Sequence, residues 1–309
     1  MDTLSISKIL STYLHEFLES EAHHLPSFCK KELEEAIICR TEKLGVSTLK
    51  CLSCFKERKL YFSCKKRGFC YQCGIRRMNE KADILLESLP NISYRQWVFT
   101  VPRKLRYIIA YDHSMQRALL SLIRRSINDY INSISKMDIE TGSVCFIQRF
   151  GSGLNLNIHF HILISEGGYF LNKRKRVKFL KMRPLVEDDI NQILHDAILS
   201  TERLIRRKID SYKDLDKKEI DLYADSIRNM ISLGERAGEF VRKLKEEESF
   251  DMPSRHKRPL LAKLVGFTLH ADRRIKRRDR SSLKALIRYM ARPSVMEKEI
   301  GRASCRERV

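Results

Sequence analysis

The stretch NIHFHIL, residues 157–163, sets two imidazoles, His159 and His161, on either side of one phenylalanine in an otherwise apolar run. Residues i and i+2 of a strand point to the same face, about 7 Å apart. The two histidines therefore share one face, and Ile158, Phe160 and Ile162 share the other. Two imidazole nitrogens leaning the same way can hold one metal ion at about 2.1 Å per bond. SVCFIQRF (143–150) reads as a preceding strand, and the glycine-bearing GSGLN between them as a hairpin turn. Folding one strand onto the other places Gln148 opposite 158–159, within a residue of register, where its carbonyl oxygen is a third donor. Glu166, just past the strand, is the alternative. Two nitrogens and an oxygen with open positions suit Mg²⁺ or Mn²⁺ carrying water and a phosphate oxygen. Without such a neighbour, an HxH pair reads as two hydrogen-bonded strand histidines.

The second chemical constellation is sulfur. Cys51-x2-Cys54 and Cys70-x2-Cys73 are fifteen residues apart, the separation of a zinc ribbon, and together offer four thiolates for a closed structural Zn²⁺ site. Cys64 is a fifth thiol that could replace one of them; the paired set is the expectation. Cys29 and Cys39 read as small buried apolar residues. Basic residues around the module, among them Arg67, Arg76 and Arg77, interleave with Phe55, Tyr61 and Phe69, a pattern suited to phosphate and base contacts.

Lys and Arg number 60 against 39 Asp and Glu over 309 residues, a formal charge of +21. That excess suits a polyanion, either nucleic acid or an anionic membrane surface. No apolar run is long enough to span a bilayer, and the N-terminus lacks the basic start and apolar block of a secretory signal. Nine cysteines in a chain without export read as ligands or free thiols of a cytoplasmic protein. IGRASCRERV (300–309) resembles a sequencing adapter translated in frame; without its net +2 the chain is still +19. The expectation is that natural sequence continues past about Glu299.

These groups need elements to position them. Helices are expected over about 3–20, 30–43, 76–89 and 112–136, the last capped by Asp112, with strands at 94–102, 143–150, 156–165 and 261–271. Residues 186–248 read as a helical insertion, and Asp279 as the cap of a last helix ending before Pro293. Strands separated by long helices, with one clear antiparallel hairpin, give an α+β fold: an antiparallel sheet flanked by helices behind an N-terminal helical, zinc-ribbon-like module. The expected divisions are 1–90 for that module and 91–299 for the domain that carries the sheet.

QRFGSGLNLNIHFH strongly resembles the HUH motif of rolling-circle transposases, in which U is a bulky apolar residue. The specific likeness is to IS-ninety-one-like members with an N-terminal zinc-binding domain. CLSCFKERKLYFSCKKRGFCYQCGIRRM looks like that zinc domain, RQWVFTVPRKLRY like the first catalytic strand and its exit, and LIRYMARP like the tyrosine helix. The likeness covers about residues 20–297, with the motifs in order. It implies that Tyr289 is the nucleophile, forming a 5′-phosphotyrosine link and freeing a 3′-OH. It implies as partner DNA, mainly single-stranded or hairpin mobile-element ends, contacted also by Arg273, Arg274, Lys276, Arg277 and Arg292. Some members carry a second tyrosine four residues earlier; that position is Ala285, so this chain resembles a single-tyrosine member. A replication initiator or relaxase would share the chemistry. A zinc-dependent DNA-binding protein without catalysis is the non-enzymatic alternative.

Overall fold

The computed structural model describes residues 6–20, 25–66, 68–151, 154–208 and 260–294, with 230 and 239. Two helices, α1 (Ile6–Ser20) and α2 (Ser27–Ile38), lead through a 3₁₀ turn at Glu42–Leu44 into a two-stranded ribbon, β1 (Val46–Lys50) and β2 (Glu57–Tyr61). Helix α3 (Tyr71–Ser88) connects this module to the main sheet.

That sheet is antiparallel, in the order β4-β5-β3-β9-β8: β4 (Ser143–Phe150), β5 (Leu156–Ser165), β3 (Tyr94–Thr100), β9 (Phe267–His270) and β8 (Leu261–Leu264). A two-residue strand, β10 (Arg274–Ile275), pairs with the start of β3. Period-two alternation gives each face its own cover. Trp97, Phe99, Ile158, Phe160 and Ile162 point to α5 (His113–Ser135) and α6 (Glu187–Lys208). Helix α5 meets them with Met115, Leu119, Ile123 and Ile127, one residue every four. The opposite face carries Leu163 and Tyr94 under α3 and the last helix, α7 (Arg280–Met290), which buries Leu283, Leu286, Ile287 and Met290. Gly74 lets the two ends of this layer meet, because a Cβ there would lie 2.7 Å from the Pro293 ring. Asp112 caps α5 through Ser114 N and Met115 N, and Asp279 caps α7 through Ser282 N.

Four elements differ from the sequence expectation. Helix α3 starts at Tyr71, so Cys73 falls in its first turn. Residues 103–111 form a separate helix, α4 (Arg103–Tyr111), before the Asp112 cap. The stretch 261–271 is a hairpin, because Val265 and Gly266 both take positive φ (49° and 80°), the two-residue turn that matches strand twist. Residues 167–181 form a further hairpin, β6 (Gly167–Leu171) and β7 (Val177–Lys181), closed by Asn172 Oδ1 accepting from the backbone of Arg174 and Arg176. Apart from 230 and 239, the insertion beyond Lys208 lies outside the described residues, as do residues 300–309. No helix among the described residues is long and apolar enough to cross a membrane.

One buried ion cluster clamps β3, β5 and β10. Glu166 Oε1 accepts from Arg95 Nη2 at 2.7 Å, its other oxygen accepts from Arg274 Nε, and Arg95 Nη1 donates to Ala271 O at 2.6 Å. Removing the carboxylate strands the Arg95 guanidinium, which is 8% exposed. Glu166→Ala is therefore expected to cost about 3–5 kcal/mol in denaturant unfolding; a loss below about 1 kcal/mol would show that the guanidinium finds water or another acceptor.

Candidate metal centres and nucleophile

The thiols assemble differently from the two-pair expectation. Cys39, Cys64, Cys70 and Cys73 bring their sulfurs within 4.8 Å of one another. Cys73 Sγ lies 3.7 Å from both Cys39 Sγ and Cys64 Sγ. A tetrahedral ion with 2.3 Å bonds to sulfur needs sulfurs about 3.8 Å apart, so this cluster fits Zn²⁺. Cys70 is the N-cap residue of α3 and Cys73 lies in its first turn. Cys64 N donates to Cys39 Sγ at 3.4 Å. Cys51 and Cys54 are not in the cluster. They occupy the tip of the β1–β2 ribbon, beyond five-residue strands and so about 17 Å from its base. Even spacing suggested one ribbon site, but the alternating runs VSTLK and ERKLY around CLSCFK were the signal that this CxxC is a hairpin tip. Cys39, read as apolar filler, is instead part of the cluster.

Burial pushes the Cys39, Cys64 and Cys70 thiols up to about 11. Burial acts upward on Cys73 too, but hydrogen bonds from Cys39, Cys64 and Cys70 outweigh it and hold it below 9.0. At neutral pH without a cation, most of these sulfurs are protonated.

The second site lies on the α3/α7 face of the sheet. His159 sits opposite Gln148 on β4 and Thr100 on β3; His161 sits opposite Phe146 and Val98. Gln148, His159 and His161 are all buried. The Gln148 carboxamide donates from Nε2 to Met290 O at 2.9 Å and Tyr289 O at 3.2 Å, the last carbonyls of α7. Its Oε1 therefore faces the other way, 3.1 Å from His159 Nε2. His159 Nδ1 lies 2.9 Å from Asn157 O, which can only accept, so the ring proton sits on Nδ1. In that tautomer the Nε2 lone pair points at the Gln148 oxygen. Two acceptors at this distance call for a cation or proton between them.

His161 lies beside them, its ring centroid 4.8 Å from that of His159. Its Nε2 is buried with no hydrogen-bond partner, and its Nδ1 lies 2.9 Å from the Gln96 carboxamide. Burial, with His159 and Arg292 adding to it, pushes its pKa well below 6.5, so the ring is neutral. Sequence reasoning missed Gln96, although QxV in β3 puts it on the histidine face by alternation. The Tyr289 ring meets His161 edge-on, centroids 5.6 Å apart. Arg292 Cζ lies 4.9 Å over the Tyr289 ring, and Tyr289 acts electrostatically on the half-buried Arg273, whose pKa burial lowers. Ala285, where a second tyrosine would stand, is exposed. His270 shares this face, opposite Val98.

Other residues are tied up locally. Glu166, the alternative third donor, lies about 17 Å along β5 from His161 and is held by two guanidinium groups. Arg274 is one of those partners, Arg76 pairs with Glu80 at 2.6 Å, and Arg77 donates to Lys65 O and Lys66 O. Lys276 and Arg277 are exposed on the loop before α7. Arg67 lies outside the described residues.

Residues 9–101 match the family described as "Transposase zinc-binding domain", and residues 142–309 match the one described as "Putative transposase". The second match alone spans more than half of the chain, which belongs to the IS-ninety-one-like rolling-circle transposases. A curated relative, the "Transposase for insertion sequence element IS801" of Pseudomonas savastanoi pv. phaseolicola, is 25% identical over 134 residues, 43% of this chain and 32% of the relative. The chain thus matches about a third of that protein's length. No solved structure matches. The four-sulfur cluster lies within the stretch that matches the zinc-binding domain.

The buried cluster around the thiols, apart from Ala36, consists of three of the four cysteines themselves. Chelation is therefore expected to release amide protection at 64–73 while β4 and β5 keep theirs, as hydrogen exchange would show. Because thiols near 11 must lose protons to bind, zinc affinity should rise with pH across 6–8, with protons released in calorimetry. A pH-independent affinity would contradict this cluster as the ligand set.

Proposed function

We propose that this transposase cuts and rejoins single-stranded DNA at mobile-element ends through a covalent 5′-phosphotyrosine on Tyr289, beside Mg²⁺ or Mn²⁺ held by His159, His161 and Gln148. The observation that carries this reading is the facing of two acceptors, His159 Nε2 and Gln148 Oε1 at 3.1 Å, next to the unpartnered His161 Nε2 and the Tyr289 ring. A divalent ion bound there neutralises charge on the phosphate and orients it.

The chain's own groups do the rest. The Tyr289 hydroxyl oxygen forms a bond to phosphorus, the bond to the 3′ oxygen breaks, and that oxygen leaves as a 3′-OH with a proton. The phosphoester is retained, so a later 3′-OH attack rejoins strands without ATP. Arg292 over the Tyr289 ring, with Arg273 nearby, stands where negative charge builds up on the attacked phosphate. Gln148 holds the end of α7, and with it the nucleophile, against β4. Gln96 positions His161: its amide nitrogen lies 2.9 Å from Nδ1, and turning that amide over sets its carbonyl against Nδ1–H and leaves the Nε2 lone pair for the ion. The zinc module, the loop with Arg273, Lys276 and Arg277, and the basic β6–β7 tip grip DNA backbone, in the bacterial cytoplasm.

Full-length protein incubated with labelled single-stranded element ends and Mn²⁺ is expected to give an adduct that survives denaturation and disappears in Tyr289→Phe. An adduct that persists in Tyr289→Phe overturns the assignment. Gln96→Leu is expected to weaken Mn²⁺ binding about 10- to 100-fold by calorimetry while leaving thermal unfolding nearly unchanged; unaltered affinity would remove Gln96 from the site.

A further inference from the structure

The tip of the β1–β2 ribbon holds a shape that the catalytic reading leaves unused. Cys51 N donates to Lys56 O and Phe55 N donates to Cys51 O, both at 2.9 Å, folding CLSCFK into a tight knuckle. Phe55 is held at φ +57°, a conformation costly for an aromatic side chain. The backbone N–H groups of Ser53 and Cys54 are directed at Cys51 Sγ, and Ser53 Oγ lies 3.0 Å from it. This is how a two-thiolate metal knuckle is organised before the ion arrives. The sulfurs face solvent, and among the described residues no further donor joins them. Leu52 is 92% exposed and Phe55 67%, beside a ribbon whose every strand residue is exposed.

We propose that Cys51 and Cys54 are half of a second zinc site, separate from the four-cysteine cluster and completed by the same knuckle of a second copy of this chain. A tetrahedral site needs four ligands and each tip supplies two, so a two-fold pair closes the sphere. The paired tips bring Leu52 and Phe55 of both copies around the ion, covering apolar surface that a lone chain leaves in water. This inference is independent of the Tyr289 chemistry.

The test is zinc content and mass of the full-length protein, by metal analysis and native mass spectrometry with added Zn²⁺. The expected result is a zinc-dependent doubling of mass with about 1.5 Zn per chain, one in the cluster and half of a shared ion. The double variant Cys51→Ser, Cys54→Ser should be monomeric with one Zn, its retained cluster zinc showing that the module still folds. A wild-type chain that stays monomeric, with one zinc or with two, overturns the proposal; two would assign the missing ligands to the same chain. A dimer unaffected by the double substitution or by chelation overturns it equally.

Discussion

The Gln148 carboxamide is the constraint on which the site depends. Its two N–H bonds reach the terminal carbonyls of α7, of which Tyr289 O otherwise meets only the backbone N–H of Arg292 at 3.4 Å. Turning the amide over would set its oxygen against two other oxygens, so the orientation is determined by the helix end. Once it is determined, the oxygen must face His159. One side chain thus satisfies the end of α7, draws Tyr289 toward the sheet and supplies an oxygen to the imidazole pair. Geometry that three separate residues would otherwise need is set by one amide plane.

Burying this much polarity in a central strand is expensive unless it is compensated. The chain contains both outcomes. At one end of β5, Glu166 is satisfied by two guanidinium groups, and the cluster holds strands together. At the other end, His161 keeps a bare buried nitrogen and His159 faces an acceptor. A carboxylate with its donors in place and, farther along the same strand, a bare imidazole nitrogen show where the fold leaves a demand open. The cysteine module shows the same logic with sulfur: its core is largely its ligand set, so ion and packing are one requirement.

Much of this was legible along the chain. The β4–β5 hairpin, its register to within one residue, the Asp112 and Asp279 caps and the α+β class follow from alternation, turn residues and capping chemistry. These are local effects; the pairing of Gln148 with His159 itself was fixed only by the sheet. The split of 261–271 was less visible, because a turn of Val265 and Gly266 offers only one glycine. Helix α3 was read late because Gly74 interrupts its first turns, and that glycine answers to Pro293, over two hundred residues away.

Residue type and spacing therefore determined which side chains could act: an HxH strand, a glutamine across the turn and an abundance of thiols, with Tyr289 added by the family resemblance. Which of them meet was decided only in three dimensions. Cys39 joins Cys64, Cys70 and Cys73 because the ribbon carries Cys51 and Cys54 away along its own length. Gln96 reaches His161 because β3 lies beside β5. Strand periodicity specifies a face, whereas choosing partners on that face requires sheet order and helix docking, set by burial across the whole core.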